Sequence, residues 1–567
     1  MSSFKSERRP IARVPRGFKD TFASNVISRQ WMIDTIREVY ERYGFAPLET
    51  PAVEYVDALG KFLPESNSPA GGIFAFQDED NSWLALRYDL TAPLSRVFAE
   101  HRNDIPMPFR RYQVGPVWRN EKPGPGRYRE FYQFDIDTVG AASMVADAEV
   151  CCVLADALEA IRIPRGDYVI KVNNRKALNG VLEVVGLPSD ENTSLTVLRA
   201  IDKLDRLGIE GVKQLLGKGR YDAPEGEESF RVSNKSIESL KGEKVPQAII
   251  VKLESLREQN IEIVREEEFL RILREDVGDE LISEHSSMIL RHTRTSDFTG
   301  GARLRDDQVQ RIIDLLSVKE SSRSKVCDRF EELVRGSQVG EEGVAELREI
   351  DRFLTAVGYA EDRVTFDPTV VRGLAYYTGP VFEAQLTFEV SDESGQKQQF
   401  GSVAGGGRYD YLVERFLGEK VPATGASIGV DRLLTALATL GKLSTLESSA
   451  PVLVTVMDAD RILDYERITF QLRRAGIPAE MYLGEGGFRK QLQYADERGS
   501  VVAVIVGSRE FEAGQVSLKD LRLGRELSKE ITEREAWVKE QPSQITVPEQ
   551  NIVQEVKAIL ERYKVGA

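Results

Sequence analysis

The first clear hydrophobic pattern of the chain lies in residues 28–43. Apolar side chains recur there at helical spacing, and Gly44 follows them as a stop signal, which predicts an amphipathic helix. Residues 45–53 then carry an extended pattern that Pro47 and Pro51 interrupt. Because proline removes a donor from a strand ladder, we expect this second segment at a sheet edge or in a subunit interface.

Strands and helices alternate over the next hundred residues. The patterns predict a strand at residues 83–88, a helix at 92–101 and a further helix at 144–161. Between the two helices, residues 110–140 contain two strand-like runs around a loop rich in proline and glycine. This arrangement predicts a β-hairpin with a long connecting loop.

The character of the chain changes between residues 182 and 363, where Glu, Lys, Arg and Leu are abundant. Helical spacing is clear at residues 196–216 and 344–357, so we expect a largely helical inserted domain. Strand patterns resume at residues 363–366 and 381–390.

A Ser/Thr-rich linker at residues 444–450 precedes a last region in which strands and helices alternate. Such alternation predicts a small three-layer α/β domain. A chain of 567 residues exceeds the size at which a single core keeps growing, so several domains are expected. The predicted division is a core at 1–181, an insertion at 182–363, a return to the core at 364–443, a linker at 444–450 and a last domain at 451–567.

Composition excludes several classes of protein. With 41% hydrophobic and 29% charged residues, the chain is typical of a soluble globular protein, and it has no apolar run of the roughly 18 residues that span a bilayer. The N-terminus lacks the apolar region of a secretory signal, so we expect the cytoplasm. Three cysteines and three histidines suggest neither a disulfide framework nor a zinc site. The net charge of −15 argues against nucleic acid as a partner, but binding depends on local patches such as Arg489 and Lys490.

The hairpin at residues 110–140 carries the strongest chemical signal. Arg119, Arg127 and Arg129 lie on or beside its loop, with Glu121 and Glu130 as the neighbouring acids. Guanidinium groups offer paired donors that match phosphate or carboxylate oxygens, so an anion is the natural partner. The alternative is an ordinary hairpin with a solvated basic loop.

Four further segments contain candidate site residues. They are residues 86–96 with Asp89 and Thr91, 370–384 with Arg372, Tyr376 and Tyr377 around a turn, 403–412 with a triple glycine before a helix, and 424–434 opening a helix that carries Arg432. Each segment alone has a structural explanation, since a glycine-rich turn or a surface arginine is common. Their order and company point to one function.

Residues 110–140 resemble motif 2 of class II aminoacyl-tRNA synthetases, closest to the histidyl-tRNA synthetase family. Residues 29–51 resemble motif 1, the dimer interface of that class, and residues 424–434 resemble motif 3. Residues 372–377 and 405–410 resemble the two signatures peculiar to the histidine-specific family, and residues from 451 onward resemble its anticodon-binding domain. The resemblance implies an α/β fold with an antiparallel-sheet catalytic core, a largely helical insertion and a C-terminal three-layer α/β anticodon-binding domain.

The resemblance also implies roles for individual residues. Those for histidine are Asp89 and Thr91 at the α-amino group, Gln133 and Arg119 at the carboxylate, Asp137 and Tyr377 at the imidazole, with Tyr376 and Arg372 beside them. Those for ATP are Arg119 at the α-phosphate, Glu121 and Phe131 at the adenine, and Arg127 and Arg432 at the β- and γ-phosphates. Arg372 and Arg119 would be the catalytic residues. No protein metal ligand is implied.

The implied reaction is the ATP-dependent activation of L-histidine and its transfer to the 3′ end of tRNA(His) by a homodimer. Adenylation brings a carboxylate onto the α-phosphorus, so fixed positive charge lowers the repulsion between two anions. Arginine suits this task because it stays charged and binds two oxygens at once. Mg²⁺ is expected because ATP arrives with it.

Some positions depart from the family pattern. Asp89 and Asp137 stand where many relatives have Glu, and Ala375 stands where an acidic residue is common. The loop at residues 122–126 is richer in proline and glycine than the usual bacterial form, and the insertion is longer. The resemblance implies that this loop contacts the acceptor end of tRNA, so these changes bear on tRNA recognition.

Three alternatives remain open from the residues alone. The first is a paralogue that kept the fold and lost the chemistry, such as a regulatory subunit of ATP phosphoribosyltransferase; the retained arginines at 119, 127, 372 and 432 argue against it. The second is a tRNA-sensing module of a kinase, which needs a kinase domain. The third concerns residues 451–567, which could be a generic α/β domain that closes a dimer.

Overall fold

The computed structural model describes the greater part of the chain. The described residues are 11–59, 72–123, 128–187, 191–221, 229–230, 232–259, 263–264, 266–293, 298–371, 377–391, 397–443, 450–530 and 543–563. Three predicted site residues, Arg127, Arg372 and Tyr376, lie outside these ranges, as do residues 444–449 of the predicted linker. Within the described ranges, the helices include none that is long and apolar enough to cross a membrane.

The N-terminal region contains the first half of the main sheet. Its elements are α1 (Ala23–Arg42), β1 (Ala46–Pro47), β2 (Val53–Tyr55), β3 (Ala75–Gln77), β4 (Trp83–Leu86), α2 (Thr91–Glu100), β5 (Phe109–Trp118), β6 (Glu130–Val139), α3 (Val145–Ala160), β7 (Tyr168–Asn174) and α4 (Arg175–Val184). The predicted helix at 28–43 is confirmed and begins five residues earlier. Its buried face includes Met32, Ile36 and Tyr40, and Gly44 follows it with a positive φ of 78°, a conformation that glycine adopts without strain.

The inserted region is largely helical, as predicted, and has two packing environments. Its elements are α5 (Glu191–Ile201), α6 (Leu204–Leu216), β8 (Gly219–Tyr221), β9 (Ser229–Phe230), α7 (Asn234–Gly242), α8 (Gln247–Gln259), β10 (Ile263–Val264), α9 (Glu266–Val277), α10 (Asp279–Thr293), β11 (Phe298–Gly300), α11 (Asp306–Leu316), α12 (Arg323–Val334) and α13 (Gln338–Ala356). Elements β9 to α10 share a separate hydrophobic core around the stacked rings of Phe230 and Phe269, whose centres are 5.1 Å apart. Helices α5, α6 and α11 to α13 instead bury apolar side chains in the main core with α1 and α3. The independently packed part is therefore shorter than 182–363, and those limits stay a prediction.

The chain then returns to the main sheet. The returning elements are β12 (Val364–Phe366), β13 (Pro380–Ser391), β14 (Lys397–Arg408), α14 (Glu414–Leu417), β15 (Ala423–Gly429) and α15 (Val430–Thr439). The eight strands lie in the order β1-β5-β6-β15-β14-β13-β7-β12. The five inner pairs are antiparallel, and the pair at each end is parallel. The predicted antiparallel core is confirmed, and β1 lies at the sheet edge, as its prolines predicted.

The last region folds around a second sheet. Its elements are β16 (Val452–Val454), α16 (Ile462–Arg474), β17 (Ala479–Met481), α17 (Phe488–Glu497), β18 (Val502–Ile505), α18 (Ser508–Ala513), β19 (Gln515–Asp520), α19 (Leu521–Glu530), β20 (Gln544–Pro548) and α20 (Ile552–Arg562). The strand order is β17-β16-β18-β19-β20. One face packs on α16 and α20, and the other packs on α17 and the start of α19. The predicted three-layer arrangement is confirmed.

The triple glycine, for which a glycine-rich turn was the structural alternative to a binding segment, lies inside the long strand β14. Gly405, Gly406 and Gly407 pair with β15 on one side and β13 on the other. A Cβ on Gly406 would lie 2.1 Å from the Gly425 carbonyl oxygen, which explains the glycine by close approach of backbones. Strand pairing decides this position, and local glycine content does not reveal that pairing.

Candidate active site

Alternate residues of β6 form the centre of the site. Gln133, Asp135 and Asp137 share one face of the strand, since successive side chains point to opposite faces. Their paired residues on the neighbouring strands are Gly115, Gln113 and Arg111 on β5, and Gly429, Ser427 and Gly425 on β15. The result is a strip of polar side chains that is flanked by glycines and is most deeply buried at Asp135 and Asp137.

Two glycines give this strip its shape. A Cβ on Gly425 would lie 2.1 Å from Asp137 Oδ1, and a Cβ on Gly407 would lie 2.8 Å from the ring of Tyr377. Side chains at either position would therefore collide with a predicted histidine-binding residue. Gly425, in the segment that resembles motif 3, and Gly407, in the second histidine signature, let Asp137 and Tyr377 lie close over the sheet.

Asp137 is held on both sides. Its Oδ1 accepts a hydrogen bond from the hydroxyl of Tyr409, and its Oδ2 lies 2.7 Å from Nη2 of Arg111. The same Nη2 donates to the Leu90 carbonyl at 2.9 Å. Arg111 therefore joins Asp137 to the loop in front of α2.

That loop contains the predicted amino-group residues. Asp89 Oδ1 accepts hydrogen bonds from the backbone amides of Thr91 (3.1 Å) and Ala92 (2.8 Å), and so satisfies free donors at the start of α2. Since Leu90 lies between Asp89 and Thr91 and contacts Arg111, the structure brings Asp89, Thr91 and Asp137 into one neighbourhood.

A second group gathers at the other end of β6. The guanidinium carbon of Arg119 lies 4.3 Å from the ring centre of Tyr88 and 5.1 Å from that of Phe131. The hydroxyl of Tyr88 donates to Glu121 Oε1 at 3.0 Å. Three predicted ATP residues, Arg119, Glu121 and Phe131, are therefore adjacent, and the cation lies between two aromatic faces.

Gln133 lies between the two groups. Its Nε2 donates to Ser427 Oγ at 2.8 Å, while its Oε1 is buried and has no hydrogen-bond partner among the described residues. Buried polar atoms are normally paired, so an unpaired one beside a glycine-lined strip indicates room for a polar ligand or water.

Arg432 is exposed near the start of α15, where its Nη2 donates to the Phe400 carbonyl at 2.8 Å. Oδ2 of its neighbour Asp431 accepts a hydrogen bond from the backbone amide of Tyr132 at 2.8 Å. This contact fixes the start of α15 beside β6, next to Phe131. Arg432 therefore lies near the Phe131 end of β6, while the body of α15 packs on the face of the sheet opposite the polar strip. The predictions for Arg127, Arg372 and Tyr376 fall outside the described residues.

Burial governs the ionisation of the acidic strip. Burial raises the pKa of both Asp135 and Asp137, and the positive charge of Arg111 opposes the rise in each. A hydrogen bond from Tyr409 also lowers the pKa of Asp137. The pKa of Tyr409 is raised well above its usual value by burial and by the nearby charge of Asp137, so this hydroxyl stays protonated and donates.

Several site residues were missed from the sequence. Arg111, Asp135, Tyr409 and Ser427 all contact or face the predicted residues, yet none was singled out. The alternation Gln133, Asp135, Asp137 was a signal for Asp135. Tyr409 belongs to the second histidine signature and could have been found there, but Arg111 needs the strand register.

Comparison with known proteins agrees with this geometry. The family model for histidyl-tRNA synthetase matches residues 17–244 and 249–433. A model described as anticodon binding domain matches residues 452–541.

Individual relatives extend this result along the chain. A histidine–tRNA ligase of Cereibacter sphaeroides is 49% identical over 567 residues, which cover 99% of this chain and 100% of the relative. A second one, from Dinoroseobacter shibae, is 49% identical over 569 residues, with coverage of 99% and 100%.

Solved structures are similar as well. The histidyl-tRNA synthetase of Nostoc sp. PCC 7120 has a TM-score of 0.65 at 28% identity and covers 97% of this chain and 100% of its own. A Bacillus halodurans structure described as an ATP phosphoribosyltransferase regulatory subunit/histidyl-tRNA synthetase has a TM-score of 0.57 at 18% identity, with coverage of 88% and 100%, and shows the fold alone. The family model matches most of the chain, and the relatives are nearly 50% identical to it over its whole length. The chain therefore belongs to the histidyl-tRNA synthetase family.

Proposed function

We propose a residue-level mechanism for the reaction of this family, the ligation of histidine to tRNA, in this chain. The chain is an aminoacyl-tRNA synthetase. The observation that supports the mechanism is the layout of β6, which carries the adenine residue Phe131 at one end and the histidine residue Asp137 at the other. Six residues of strand span roughly 20 Å. That length accommodates an aminoacyl-adenylate laid along the strand.

Histidine lies at the Asp137 end in this proposal. Asp137 accepts from one imidazole nitrogen, and Tyr377 contacts the other edge of the ring with Tyr376 beside it. Asp89 and Thr91 hold the α-amino group. The second carboxylate oxygen of Asp89 and the hydroxyl of Thr91 can each accept a hydrogen bond from an ammonium group. A pocket that hydrogen-bonds both ring nitrogens rejects apolar amino acids strongly, since such substrates leave its polar groups unpaired.

ATP lies at the Arg119 end. Phe131 stacks on the adenine, Glu121 faces its edge, and Arg127 and Arg432 bind the β- and γ-phosphates. Arg119 contacts the α-phosphate and, with Gln133, the histidine carboxylate. Supported between Tyr88 and Phe131, its guanidinium is held in place before the substrates arrive, which is what transition-state stabilisation requires.

The reaction proceeds in two displacements. A carboxylate oxygen of histidine bonds to the α-phosphorus of ATP, the bond to the bridging oxygen breaks, and pyrophosphate leaves. A terminal ribose hydroxyl of tRNA then attacks the carbonyl carbon and gives its proton to a phosphate oxygen of the adenylate, and AMP leaves with the bonding electrons. Arg372 and Arg119 neutralise the charge that develops on the α-phosphate, so no protein nucleophile is required.

Mg²⁺ fits this site as a companion of the nucleotide. Among the described residues, no group of three or more His, Cys, Asp or Glu side chains could hold a metal by itself. Magnesium in nucleotide sites is commonly held by substrate phosphates with one or two carboxylates. Because Glu121 is assigned to the adenine, the ion would be held by the substrate phosphates and would neutralise their charge.

The C-terminal domain is proposed to bind the anticodon stem-loop. A cleft of about 330 Å³ opens beyond the carboxyl ends of β16 and β17, between Met457 and Leu483. Leu483 is 84% exposed, and Arg489 and Lys490 follow at the start of α17. Exposed apolar surface beside basic side chains suits unstacked bases and phosphates of single-stranded RNA.

A homodimer and a cytoplasmic location complete the proposal. The small sheet of β2, β3 and β4 exposes Val53, Tyr55 and Phe76, at 36%, 57% and 46%. Clustered exposed apolar side chains mark interaction surfaces, and these follow the motif-1 region. Sedimentation at several protein concentrations tests the dimer; a folded monomer throughout would exclude it.

Amino-acid-dependent ATP–pyrophosphate exchange tests the enzymatic proposal. Histidine should support exchange, and the other nineteen amino acids should not. A folded protein that exchanges with none of them would support the silent-paralogue alternative. Transfer of histidine to tRNA(His) transcript is the second half of the test.

A further inference from the structure

Arg111 is the most deeply buried charged side chain next to the site. It is 0% exposed, lies on β5 opposite Asp137, and points to the same face as the polar strip of β6. Its Nη2 contacts both the Asp137 carboxylate and the Leu90 carbonyl, while Nε and Nη1 have no hydrogen-bond partner among the described residues. A guanidinium without solvent is costly, so its neighbours must supply the compensating charge.

Two carboxylates compete for this one cation. Asp135 and Asp137 are each 2% exposed, and both lie within the electrostatic reach of Arg111. Asp135 is bound to Ser427, yet its Oδ1 has no hydrogen-bond partner among the described residues. The charge of Asp137 raises the pKa of Asp135, whereas the cation lowers the pKa of both carboxyls.

Other ionisable groups also face this pair. The negative charge of Asp89, in the loop before α2, raises the pKa of both carboxyls. The hydroxyl of Tyr409 donates a hydrogen bond to Asp137, and Tyr40 of α1 lies near Asp135 and Asp137. Arg87 packs against Gly115 and lies near Asp135. It donates hydrogen bonds to the carbonyls of Pro116 and Thr50. Arg111 is therefore the guanidinium in direct contact with the Asp137 carboxylate.

We propose that Arg111 is a positioning residue for histidine recognition that keeps Asp137 ionised and oriented. An ionised Asp137 can only accept hydrogen bonds, so it selects an imidazole nitrogen that carries hydrogen. A protonated Asp137 would present a donor and lose this selection. The contact between Arg111 and Asp137 thereby sets the lower end of the pH range in which histidine is bound productively.

This inference rests on the proposed contact between Asp137 and the imidazole. The two can be separated experimentally, because Asp137→Asn tests the contact and changes at residues 111 and 135 test its control. If Asp137→Asn leaves the histidine KM unchanged, the proposed function of Asp137 fails. If it raises the KM but the other variants shift no pH profile, only the role of Arg111 fails.

The experiment measures histidine-dependent ATP–pyrophosphate exchange in the full chain between about pH 5.5 and 9.5. Four forms are compared: wild type, Arg111→Met, Arg111→Lys and Asp135→Asn. Methionine keeps much of the volume and loses the charge, whereas lysine keeps the charge. Free histidine titrates identically in all four, so differences in the profile belong to the enzyme.

Arg111→Met should shift the acid limb of kcat/KM for histidine to higher pH by about one unit or more, roughly tenfold in kcat/KM on the slope. Arg111→Lys should keep the limb near its wild-type position. Asp135→Asn should also leave it there, because the raised pKa of Asp135 keeps this carboxyl neutral over the acid limb. The KM for ATP should not change.

No upward shift in folded Arg111→Met, a comparable shift in Asp135→Asn, or equal changes in the KM for ATP and histidine would overturn the proposal. If Arg111→Met does not fold, Arg111→Gln also removes the charge and decides it by the same upward shift. In an Asp137→Asn background, Arg111→Met should have no further effect on the profile. A persisting shift there would assign it to another group.

Discussion

Arg119 and Phe131 contact each other across the motif-2 hairpin, with 5.1 Å between the guanidinium carbon and the ring centre. They lie at the open end of the β5–β6 pair, where Trp118 is paired with Glu130. The side chain assigned to the phosphate is thus packed on the side chain assigned to the base. This contact makes a substitution at Phe131 a probe of the nucleotide end of the site.

Phe131→Ala should raise the KM for ATP while leaving the KM for histidine nearly unchanged. Stacking of a base on an aromatic ring is worth about 1–3 kcal/mol, or roughly 5- to 150-fold. Phe131→Tyr keeps the ring and is the matched control. An equal rise in both KM values would show that the change had disturbed the part of the site that both substrates contact.

Asp137→Asn should affect histidine far more than ATP. Hydrogen bonds to charged groups contribute about 1.5–3 kcal/mol, so the histidine KM should rise by roughly 10- to 150-fold. Steady-state exchange kinetics with each substrate varied in turn measures the difference. Equal effects on the two substrates would contradict the imidazole role.

Arg372→Ala should slow adenylation by about 100-fold or more, because it removes the charge that is proposed to stabilise the α-phosphate in the transition state. Arg372→Lys should lie between wild type and Ala, since lysine keeps the charge and loses the two-oxygen geometry. Single-turnover formation of the adenylate is the measurement. A wild-type rate in Arg372→Ala would refute the proposed charge stabilisation.

Asp135→Asn should stabilise the protein at alkaline pH and have little effect at acid pH. Burial raises the folded-state pKa of Asp135, so its stabilising neutral form is fully present below the unfolded-state pKa of about 3.9 and is lost as pH rises through the folded value. Each unit of elevation corresponds to about 1.4 kcal/mol. Thermal unfolding at about pH 5 and pH 8 gives the comparison. A gain that is independent of pH would point to packing instead of ionisation.

Arg489→Glu should weaken tRNA charging and leave histidine-dependent exchange intact. Arg489 lies at the start of α17, beside the cleft at the carboxyl ends of the strands. Arg474→Glu is the matched control, because Arg474 is an exposed arginine at the far end of α16 with the same charge change. The KM for tRNA, measured at several salt concentrations, should rise only in the first variant. Equal effects would indicate a general electrostatic contribution.

Much of this fold follows from local sequence. The helix, the hairpin and the last domain lie where the sequence pattern predicts them, at residues 28–43, 110–140 and after residue 450. Such elements depend on neighbours a few residues away, and those neighbours are visible in the sequence.

The sequence by itself determined the family resemblance, the secondary-structure order and a set of candidate residues for histidine and ATP. Only the tertiary structure decided that the triple glycine lies in a strand, that half of the inserted region packs on the main core, and that Arg111 faces Asp137. Arg111 and Asp137 are separated by a long hairpin, and their contact depends on the register of β5 with β6. Register and burial arise from pairing between distant segments, and one residue of slippage would turn every side chain of the strand to the other face.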